Sequence, residues 1–421
     1  MLTGMGAVTP VGMGVAAFAR ALRGGESGVR LLSFRDQRIK SSVAARCPDF
    51  DPRSVMGEAD VQRVPRLVPM ALAAAREAAR QARLPVGEAL DVPGARRIGL
   101  ILGTGAGGID FTLDQADAGH AGRRPSLWTI TNATHGNLAG ELSIALGLHG
   151  PSLCVSTGCA SSSDAVGLAL EQLRGDRPGA PDTWIVVGAD AHVRFETLWG
   201  MELLRVISTR SWREDPAGAA TASRPFDRTR DGFVLGEGAW AVVIEREGAA
   251  RRREVAPIGR VMGYGATCDA YHRVRPDPDM AESVRAISLA IEDAGLRREE
   301  IEVVHYHGTS TQMNDAVETA AVKMAFGDHA RQLAGHSVKG AIGHPQGASG
   351  LAALVATLAG LCGADGGASF LAPTINLREA DPACDLDYTP LAPRATGART
   401  ALINCLAFGA KNSALVVRAG E

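Results

Sequence analysis

A glycine–cysteine turn lies between an apolar segment and a segment of small residues in the stretch Val155-Ser156-Thr157-Gly158-Cys159-Ala160-Ser161-Ser162-Ser163-Asp164-Ala165-Val166. The pattern predicts a strand that stops at Gly158 and a helix that Cys159 opens. Free N–H groups and the positive end of a helix dipole favour a thiolate over a thiol, so we expect a lowered pKa and a nucleophilic sulfur at Cys159. A buried structural cysteine is the alternative, but the small neighbours of Cys159 leave room for a substrate.

Short strands and helices alternate on both sides of this turn. Continuous apolar runs bounded by glycine predict buried strands at Ile98–Gly103, Trp184–Gly188, Trp240–Ile244, Val303–Tyr306, Ala401–Asn404 and Ala414–Val417. Segments rich in Ala and Leu predict helices at Val68–Arg83, Ala160–Arg174, Met280–Ala294, Asp315–Phe326 and Gly347–Leu361. This alternation is typical of an α/β fold with mainly parallel strands.

The chain contains the same arrangement twice, although its internal identity is too low for a sequence repeat. Each part has a strand that runs into a Gly/Thr turn and a small-residue turn before an Ala-rich helix: Gly103–Gly105 and Gly158–Ala160 in the first, Gly308–Ser310 and Gly347–Ser349 in the second. The basic stretch Arg246–Val255 lies between them. We therefore predict two similar α/β halves, residues 1–250 and 251–421.

Composition excludes several classes of protein. The chain has 421 residues, of which 46% are hydrophobic and 21% charged, so it is neither disordered nor fibrous. A net charge of −2 provides no general field for nucleic acid or an anionic membrane, and we expect neither as a partner. The apolar run Leu351–Ala364 is shorter than the roughly 18 residues that cross a bilayer and is expected to be a buried helix. The seven cysteines have no metal-ligand spacing and no secretory leader precedes them, so we expect a reducing cytoplasm and no metal.

Two further segments place histidines beside glycines. His305-Tyr306-His307-Gly308-Thr309-Ser310-Thr311 ends a predicted strand, and Ser337-Val338-Lys339-Gly340-Ala341-Ile342-Gly343-His344-Pro345 precedes a predicted helix. One histidine alone is more often structural, but His307 and His344 with Lys339 between them indicate catalysis. Lys339 would need a carboxylate if buried, and Glu318 is the candidate partner, a solvated surface pair being the alternative. Other histidines and Cys405 are expected to be structural.

Taken in order, these blocks resemble the β-ketoacyl synthases, the condensing enzymes of fatty acid and polyketide assembly, and most closely the type II group that depends on an acyl carrier protein. The resemblance covers nearly the whole chain, including Thr3–Pro10, Arg224–Asp227, Gly232–Gly238, Asp269–His272, Pro373–Leu377 and Phe408–Gly409. It implies a thiolase-like α/β fold, with two similar halves stacked in five layers (αβαβα), and usually a dimer.

The resemblance also implies a decarboxylative Claisen condensation. Cys159 would carry the acyl chain as a thioester, with its own N–H and that of Phe408 forming the oxyanion hole. His307 and His344 would hold the malonyl thioester carbonyl while carbon dioxide leaves.

Further roles follow from the same resemblance. Lys339 and Glu318 would orient His307, and Thr309 and Thr311 would contact the phosphopantetheine arm. That arm arrives on the carrier protein, so no cofactor of the chain's own is expected. A gate beside the oxyanion hole would comprise Phe408, Gly409, Asp269 and Asn412. The candidate carrier-protein dock is basic and comprises Arg63, Arg66, Arg205 and Arg210.

The chain departs from the family pattern at three places. Leu406-Ala407-Phe408-Gly409-Ala410 stands where the family commonly reads Phe-Gly-Phe-Gly-Gly, and we expect a less mobile gate because a Cβ restricts positive φ. Ala106 replaces a bulky residue beside the acyl channel, which favours a wider pocket. Ala353 stands where the family often has glutamate, so an ion or hydrogen-bond site there is in doubt.

Three alternatives stay open from the sequence. Gly343–Gly350 is also similar to the histidine signature of thiolases, which condense acyl-CoA without decarboxylation, but thiolases lack the His307–Thr311 block. A non-catalytic subunit of the chain-length-factor kind would lack Cys159, so an active subunit is favoured, acting as a homodimer or with such a partner. Fatty acid elongation and a polyketide or polyene pathway both fit, and the gate sequence, Ala106 and the run Asn314–Lys323 favour the second.

Overall fold

The strands and helices of the chain come from a computed structural model, which describes residues 1–34, 36, 38–87, 91–175 and 177–420. The strands are β1 Leu2–Thr9, β2 Gly12–Met13, β3 Val29–Leu31, β4 Val43–Ala45, β5 Ile98–Gly103, β6 Ser152–Val155, β7 Thr183–Asp190, β8 Gly238–Glu245, β9 Gly259–Cys268, β10 Val303–His305, β11 Ala334–His336, β12 Phe370–Leu371, β13 Arg394–Ala395, β14 Thr400–Ala407 and β15 Lys411–Ala419. The helices are α1 Val15–Arg23, α2 Glu58–Val61, α3 Leu67–Gln81, α4 Val92–Ala95, α5 Ile109–His120, α6 Thr129–Ala133, α7 His135–Leu146, α8 Ser161–Arg174, α9 Phe195–Leu203, α10 Glu247–Arg252, α11 Ala281–Asp293, α12 Gln312–Phe326, α13 Lys339–Ile342 and α14 Ser349–Leu361.

The main sheet has two parts with the same strand order. The first part runs β1-β8-β7-β5-β6 and the second runs β9-β15-β14-β10-β11. In each part the first two pairings are antiparallel and the last two are parallel. One residue pair, Leu2 with Gly259, joins the parts through β1 and β9. The topology is therefore repeated, while a boundary at residues 250 and 251 stays a prediction.

Helices cover both faces of this sheet in five layers. Helices α8 and α14 pack against each other and against strands of both parts, so they form the central layer. Helices α3 and α7 cover the outer face of the first part, and α11 and α12 cover that of the second. This arrangement confirms the predicted thiolase-like α/β class.

The predicted helices and strands are all present within a few residues of their expected ends. The expectation of mainly parallel strands is wrong, because β8 and β15 each run antiparallel to both neighbours. Strands buried on both faces look alike in sequence whichever way they run, and a short turn such as that joining β14 to β15 needs no crossover helix. The sequence analysis also missed β1 and β9.

Every residue of α14 is buried, as expected for a helix formed largely by the apolar run Leu351–Ala364. Within the described ranges, no helix combines the length and the apolar character needed to span a membrane.

Paired glycines let a helix lie flush on the first strand of each part. A Cβ on Gly4 or Gly6 of β1 would stand 2.0 or 1.9 Å from a carbonyl oxygen of α3. A Cβ on Gly263 or Gly265 of β9 would stand 2.2 Å from a carbonyl oxygen of α11. Both strands therefore require glycine where the backbones meet, and these glycines also hid them from a search for β-branched runs.

We expect Gly6→Ala to lower the free energy of unfolding by about 2–3 kcal/mol, because the new methyl group must push α3 away from β1. Urea denaturation followed by circular dichroism would measure this. Gly200→Ala in α9 is the matched control: apart from its own helix, no described residue has an atom within 4 Å of the added Cβ, so it should stabilise the protein by about 0.5–1 kcal/mol. Equal denaturation midpoints for both variants would contradict the argument.

Candidate active site

The sulfur of Cys159 lies in a tight turn at the start of the central layer. Gly158–Ala160 form a turn of 3-10 helix that leads directly into α8. Gly158 has a φ of +64°, and a Cβ there would lie 3.0 Å from the carbonyl oxygen of Phe408. Glycine is thus needed both for the conformation and for the close approach of the 408 segment. Cys159 is only 2% exposed.

The expectation of a lowered pKa at Cys159 is wrong. Burial raises the pKa of the thiol to about 11, because an anion is costly away from water. The backbone N–H groups of Phe408 and Cys159 hydrogen-bond to the sulfur and, with the charge of Lys339, lower the pKa only in part. The resting nucleophile is therefore a neutral thiol that must lose its proton during attack.

Two imidazoles face this thiol. The sulfur of Cys159 and one nitrogen each of His307 and His344 all lie within 4.8 Å of one another. The two rings meet edge to face, with centroids 5.2 Å apart. His307 follows the end of β10, and His344 lies between α13 and a 3-10 turn at Gln346–Ala348, so residues distant in the chain meet at one point.

Hydrogen bonds set the tautomer of each ring. His344 Nδ1 lies 3.3 Å from the backbone N–H of Gln346, which can only donate, so this nitrogen is an acceptor and Nε2 carries the proton. His307 Nδ1 lies 3.4 Å from Nζ of Lys339, whose ammonium form can only donate. Each neutral ring therefore presents an Nε2–H, and the site offers two hydrogen-bond donors to a substrate.

Burial lowers the pKa of both His307 and His344 well below the ordinary value, and the charge of Lys339 lowers each further. Both rings are consequently neutral at pH 7. A neutral imidazole of this tautomer donates its Nε2–H to a substrate oxygen, and because Nδ1 of each ring already accepts a hydrogen bond, the two rings act as donors and not as the base for the thiol.

Glu318 and Lys339 hold His307 from opposite sides, but not as the predicted ion pair. The Glu318 carboxylate accepts the backbone N–H groups of His307 and Gly308, at 2.6 and 2.8 Å, and the amide of Asn404 at 2.7 Å. Lys339 Nζ donates to the carbonyl oxygen of His307 at 2.5 Å. Among the described residues no ion pair within 4.0 Å joins Lys339 to Glu318, because each already binds the main chain of His307. Burial raises the pKa of Glu318 to about 7 and lowers that of Lys339.

A cavity of about 470 Å³ leads from the surface to Cys159, His307 and His344. Thr309 and Thr311 both line it, with their hydroxyls 2.9 Å apart. The wall includes all three reactive groups and mixes apolar with polar side chains, which suits a thioester on a polar arm.

The predicted gate residues form one hydrogen-bonded unit beside the sulfur. Asn412 donates to the Asp269 carboxylate at 2.6 Å, and the backbone N–H of Asp269 donates to the carbonyl of Ala410 at 2.7 Å. The N–H of Gly409 donates to the carbonyl of Arg273 at 2.8 Å. Ala410 adopts a φ of +64°, a conformation in which alanine is strained relative to glycine. The segment that carries the Phe408 N–H is therefore tied to residues 269–273.

The four arginines predicted to form one dock have different local contacts. Arg205 is exposed and lines the cavity mouth. Arg66 pairs with the buried carboxylate of Glu237 at 3.1 Å, and Arg63 pairs with Asp60 at 3.0 Å; neither is among the residues that line the cavity. Arg210 stacks over the ring of Trp212 and lines a different pocket. A single dock that includes all four arginines stays a prediction. The sequence analysis missed two other basic residues at the mouth, Arg275 and Lys411.

Ala106 does not line this cavity, as far as the described residues define it. Its backbone N–H donates to the buried carboxylate of Asp190 at 3.0 Å, and that carboxylate also accepts the N–H of Gly347 at 2.7 Å. Asp190 thus ties the predicted acyl-pocket residue to the turn that follows His344. The sequence offered no signal for Asp190, since its role depends on donors from both parts of the fold.

Ala353 is buried within α14.

Among the described residues, Cys159, His307 and His344 also bring three ligand atoms close enough together to hold a metal ion. A thiolate and two imidazoles suit a soft divalent ion. Such an ion would occupy both the nucleophile and the two donors at once.

A repeated α/β fold whose central helix begins beside a buried thiol, with two neutral imidazoles facing that thiol, defines an enzyme that transfers acyl groups through a cysteine. Residues 1–250 match the N-terminal domain of β-ketoacyl synthases, and residues 258–377 match the C-terminal domain. The chain therefore belongs to the β-ketoacyl synthase family and is a ketosynthase, an enzyme of the acyltransferase class.

Individual relatives agree with this assignment. A 3-oxoacyl-[acyl-carrier-protein] synthase 2 from Synechocystis sp. is 34% identical over 423 residues, covering 99% of this chain and 97% of that protein. A type II polyketide ketosynthase, solved with its acyl-carrier protein and bound to the hexaketide, has a TM-score of 0.86 and 26% identity, covering 99% of this chain and 98% of that chain. The ishigamide ketosynthase/chain length factor has a TM-score of 0.86 and 29% identity, covering 100% of this chain and 98% of that chain.

We expect the alkylation rate of Cys159 by iodoacetamide to rise about tenfold per pH unit between pH 7 and pH 9, because the thiolate fraction grows with pH below a pKa of about 11. Mass spectrometry of the peptide that contains Cys159 would follow the reaction at this sulfur alone. A rate that levels off below pH 8 would instead indicate a thiolate in the resting enzyme.

Proposed function

We propose that the chain joins an acyl group held on Cys159 to the two-carbon unit of a malonyl thioester on an acyl carrier protein, with loss of carbon dioxide. The observation that carries this proposal is the meeting of one thiol with two imidazole N–H donors within 4.8 Å. A nucleophile with one base would suffice for acyl transfer alone. The second donor is useful where an enolate must also be stabilised.

The first half of the reaction loads the enzyme. The sulfur of Cys159 attacks the thioester carbonyl, its proton is transferred to the carrier sulfur, and the N–H groups of Cys159 and Phe408 stabilise the oxyanion. The bond from the acyl carbon to the carrier sulfur then breaks, and the carrier thiol leaves with that proton. Oxyanion-hole donors of this kind are typically worth about 10²–10³ in rate.

The second half forms the carbon–carbon bond. The malonyl thioester oxygen accepts hydrogen bonds from Nε2–H of His307 and of His344. The carbon–carboxylate bond breaks, carbon dioxide leaves, and the electron pair becomes an enolate held by those two donors. Its carbon attacks the acyl group on Cys159, the carbon–sulfur bond breaks, and the thiol is restored on taking up a proton. These steps use side chains and substrate only, so we propose no metal and no resident cofactor.

A thiolase-type condensation without decarboxylation is the competing function. His307 favours the decarboxylating reaction, because it adds a second donor whose place is maintained by Glu318 and Lys339.

Two substitutions separate the half-reactions. We expect Cys159→Ala to abolish acyl loading, whereas His307→Ala should still load an acyl group but release carbon dioxide from malonyl-carrier protein about 10²–10³ times more slowly. Intact-protein mass spectrometry measures loading, and labelled carbon dioxide measures the second step.

Cys384→Ala, which removes a buried thiol in another core cluster, is the matched control and should retain both steps. Acylation that persists in Cys159→Ala would mean that another residue is the attachment point. Condensation of acyl-CoA by the unaltered protein without carbon dioxide release would favour the thiolase function.

We propose that the carrier protein docks at the cavity mouth, where Arg205, Arg275 and Lys411 supply positive charge within reach of the entrance. A carrier protein that is acidic would be attracted by these groups, and its arm would pass Thr309 and Thr311 on the way to Cys159.

We expect Arg205→Glu to raise the KM for the acyl-carrier protein about tenfold at low salt, with a smaller effect at high salt because ions screen exposed charges. Steady-state assays at two salt concentrations would measure this. Arg251→Glu in α10, which makes the same charge change at an exposed residue that does not line the cavity, is the control and should have little effect. Unchanged turnover in Arg205→Glu at low salt would remove Arg205 from the dock.

We also propose a dimer, with a second copy or with a ketosynthase homologue of the chain-length-factor kind. The edge strand β6 has one unpaired side and exposes Leu153, and Leu127, Ile130 and Ile144 are exposed on neighbouring elements. An apolar sheet edge of this kind suits pairing with another chain.

A polyketide or polyene pathway is the favoured setting over fatty acid elongation, and the strained Ala410 in the gate supports it. The free state of all seven cysteines is in keeping with a reducing cytoplasm.

A further inference from the structure

Gln346 places a primary amide directly beside the reacting sulfur. Its Oε1 lies 3.8 Å from Sγ of Cys159, and the residue is 7% exposed. It opens the 3-10 turn after His344 and adopts a φ of +47°, which is unusual for a residue with a Cβ. The main chain therefore holds this side chain against the nucleophile even at some conformational cost.

The other end of this amide has no partner. Nε2 of Gln346 is buried and makes no hydrogen bond to any described residue. Burying an amide with unmade hydrogen bonds costs free energy, and a leucine of similar size would avoid that cost. A polar group that is buried, unpaired and in contact with a nucleophile is therefore expected to find its partner in the substrate.

Loading changes the partners of the amide. In the free enzyme Oε1 accepts a hydrogen bond from the thiol of Cys159. In the acyl-enzyme the sulfur carries the acyl group, so this S–H donor no longer exists. The thioester oxygen already accepts hydrogen bonds from the N–H groups of Cys159 and Phe408. The amide of Gln346 is therefore available to bind the next polar atom along the acyl chain. In an acyl group with an oxygen on its β-carbon, that atom lies only a few bonds from the sulfur.

We propose that Gln346 is a specificity-determining residue that selects acyl chains with a carbonyl or hydroxyl group at the β-carbon over saturated chains. The inference rests on the proposed function, since it requires an acyl group on Cys159. The side-chain Nε2–H would donate to the β-oxygen. Gly347, the residue after Gln346, binds the same Asp190 carboxylate as Ala106, so Gln346 lies near the residue predicted to border the acyl pocket.

If Gln346 had a purely structural role, removing its amide would not change the preference between the two kinds of acyl chain. The contact of this residue with His344 is made by its backbone N–H, which any substitution except proline retains. Gln346→Leu removes only the amide, and leucine, like glutamine, is unbranched at Cβ, so the strain at this φ is little altered.

The test compares acylation of Cys159 by acetoacetyl-carrier and butyryl-carrier protein, followed by intact-protein mass spectrometry. The two thioesters differ in chemical reactivity, so the informative quantity is their rate ratio in each variant. We expect the ratio of acetoacetyl to butyryl rates to fall about tenfold in Gln346→Leu, which is the effect of losing one hydrogen bond. Gln312→Leu, which removes an exposed amide at the mouth of the same cavity, should leave the ratio unchanged.

Each outcome assigns a cause. An unchanged ratio in Gln346→Leu would overturn the inference while leaving the proposed function standing. Failure of the unaltered protein to load either acyl group would overturn the proposed function and this inference with it. If Gln346→Leu does not fold, as judged by its thermal midpoint, Gln346→Met removes the same amide with an unbranched side chain and should lower the ratio equally.

Discussion

The close contact of α8 with α14 in the central layer is the constraint on which the site depends. A Cβ on Gly350 would lie 2.0 Å from Oγ of Ser163, so only glycine allows the two helices to meet there. Next to this point the N–H of Leu351 donates to Oγ of Ser162 at 3.0 Å. Because one helix follows Cys159 and the other follows His344, bringing the helix starts together brings the nucleophile and the second imidazole together.

The same packing buries the three reactive groups, and burial determines their charge state. Burial raises the pKa of the Cys159 thiol and lowers the pKa values of His307 and His344, so all three groups are neutral at rest. Charge arises only as the reaction proceeds, where fixed N–H donors stabilise it without reorganisation. Glu318 and Lys339 support this arrangement by binding the main chain of His307 from two sides.

Local patterns predicted most elements but not their pairing. Strand β5 was predicted with the bounds that the structure shows, because a short apolar run between glycines has few conformations other than a buried strand. The direction of β8 was not expected, because direction depends on the connections between strands and not on their side chains. The ion pair of Lys339 with Glu318 was inferred from charge alone, and main-chain donors closer to the carboxylate replaced it. Arg275 and Lys411 at the cavity mouth were not predicted, because surface position is decided by the whole fold.

By itself, the sequence determined the repeated α/β class, the helix after Cys159 and the family to which the chain belongs, because these depend on short motifs and on local periodicity. Only the tertiary structure decided the protonation of the thiol, the tautomers of the two imidazoles, and the place of Gln346 against the sulfur. Those properties come from burial and from contacts between residues far apart in the chain. Desolvation and hydrogen-bond geometry exist only once the two parts of the fold have closed around the site.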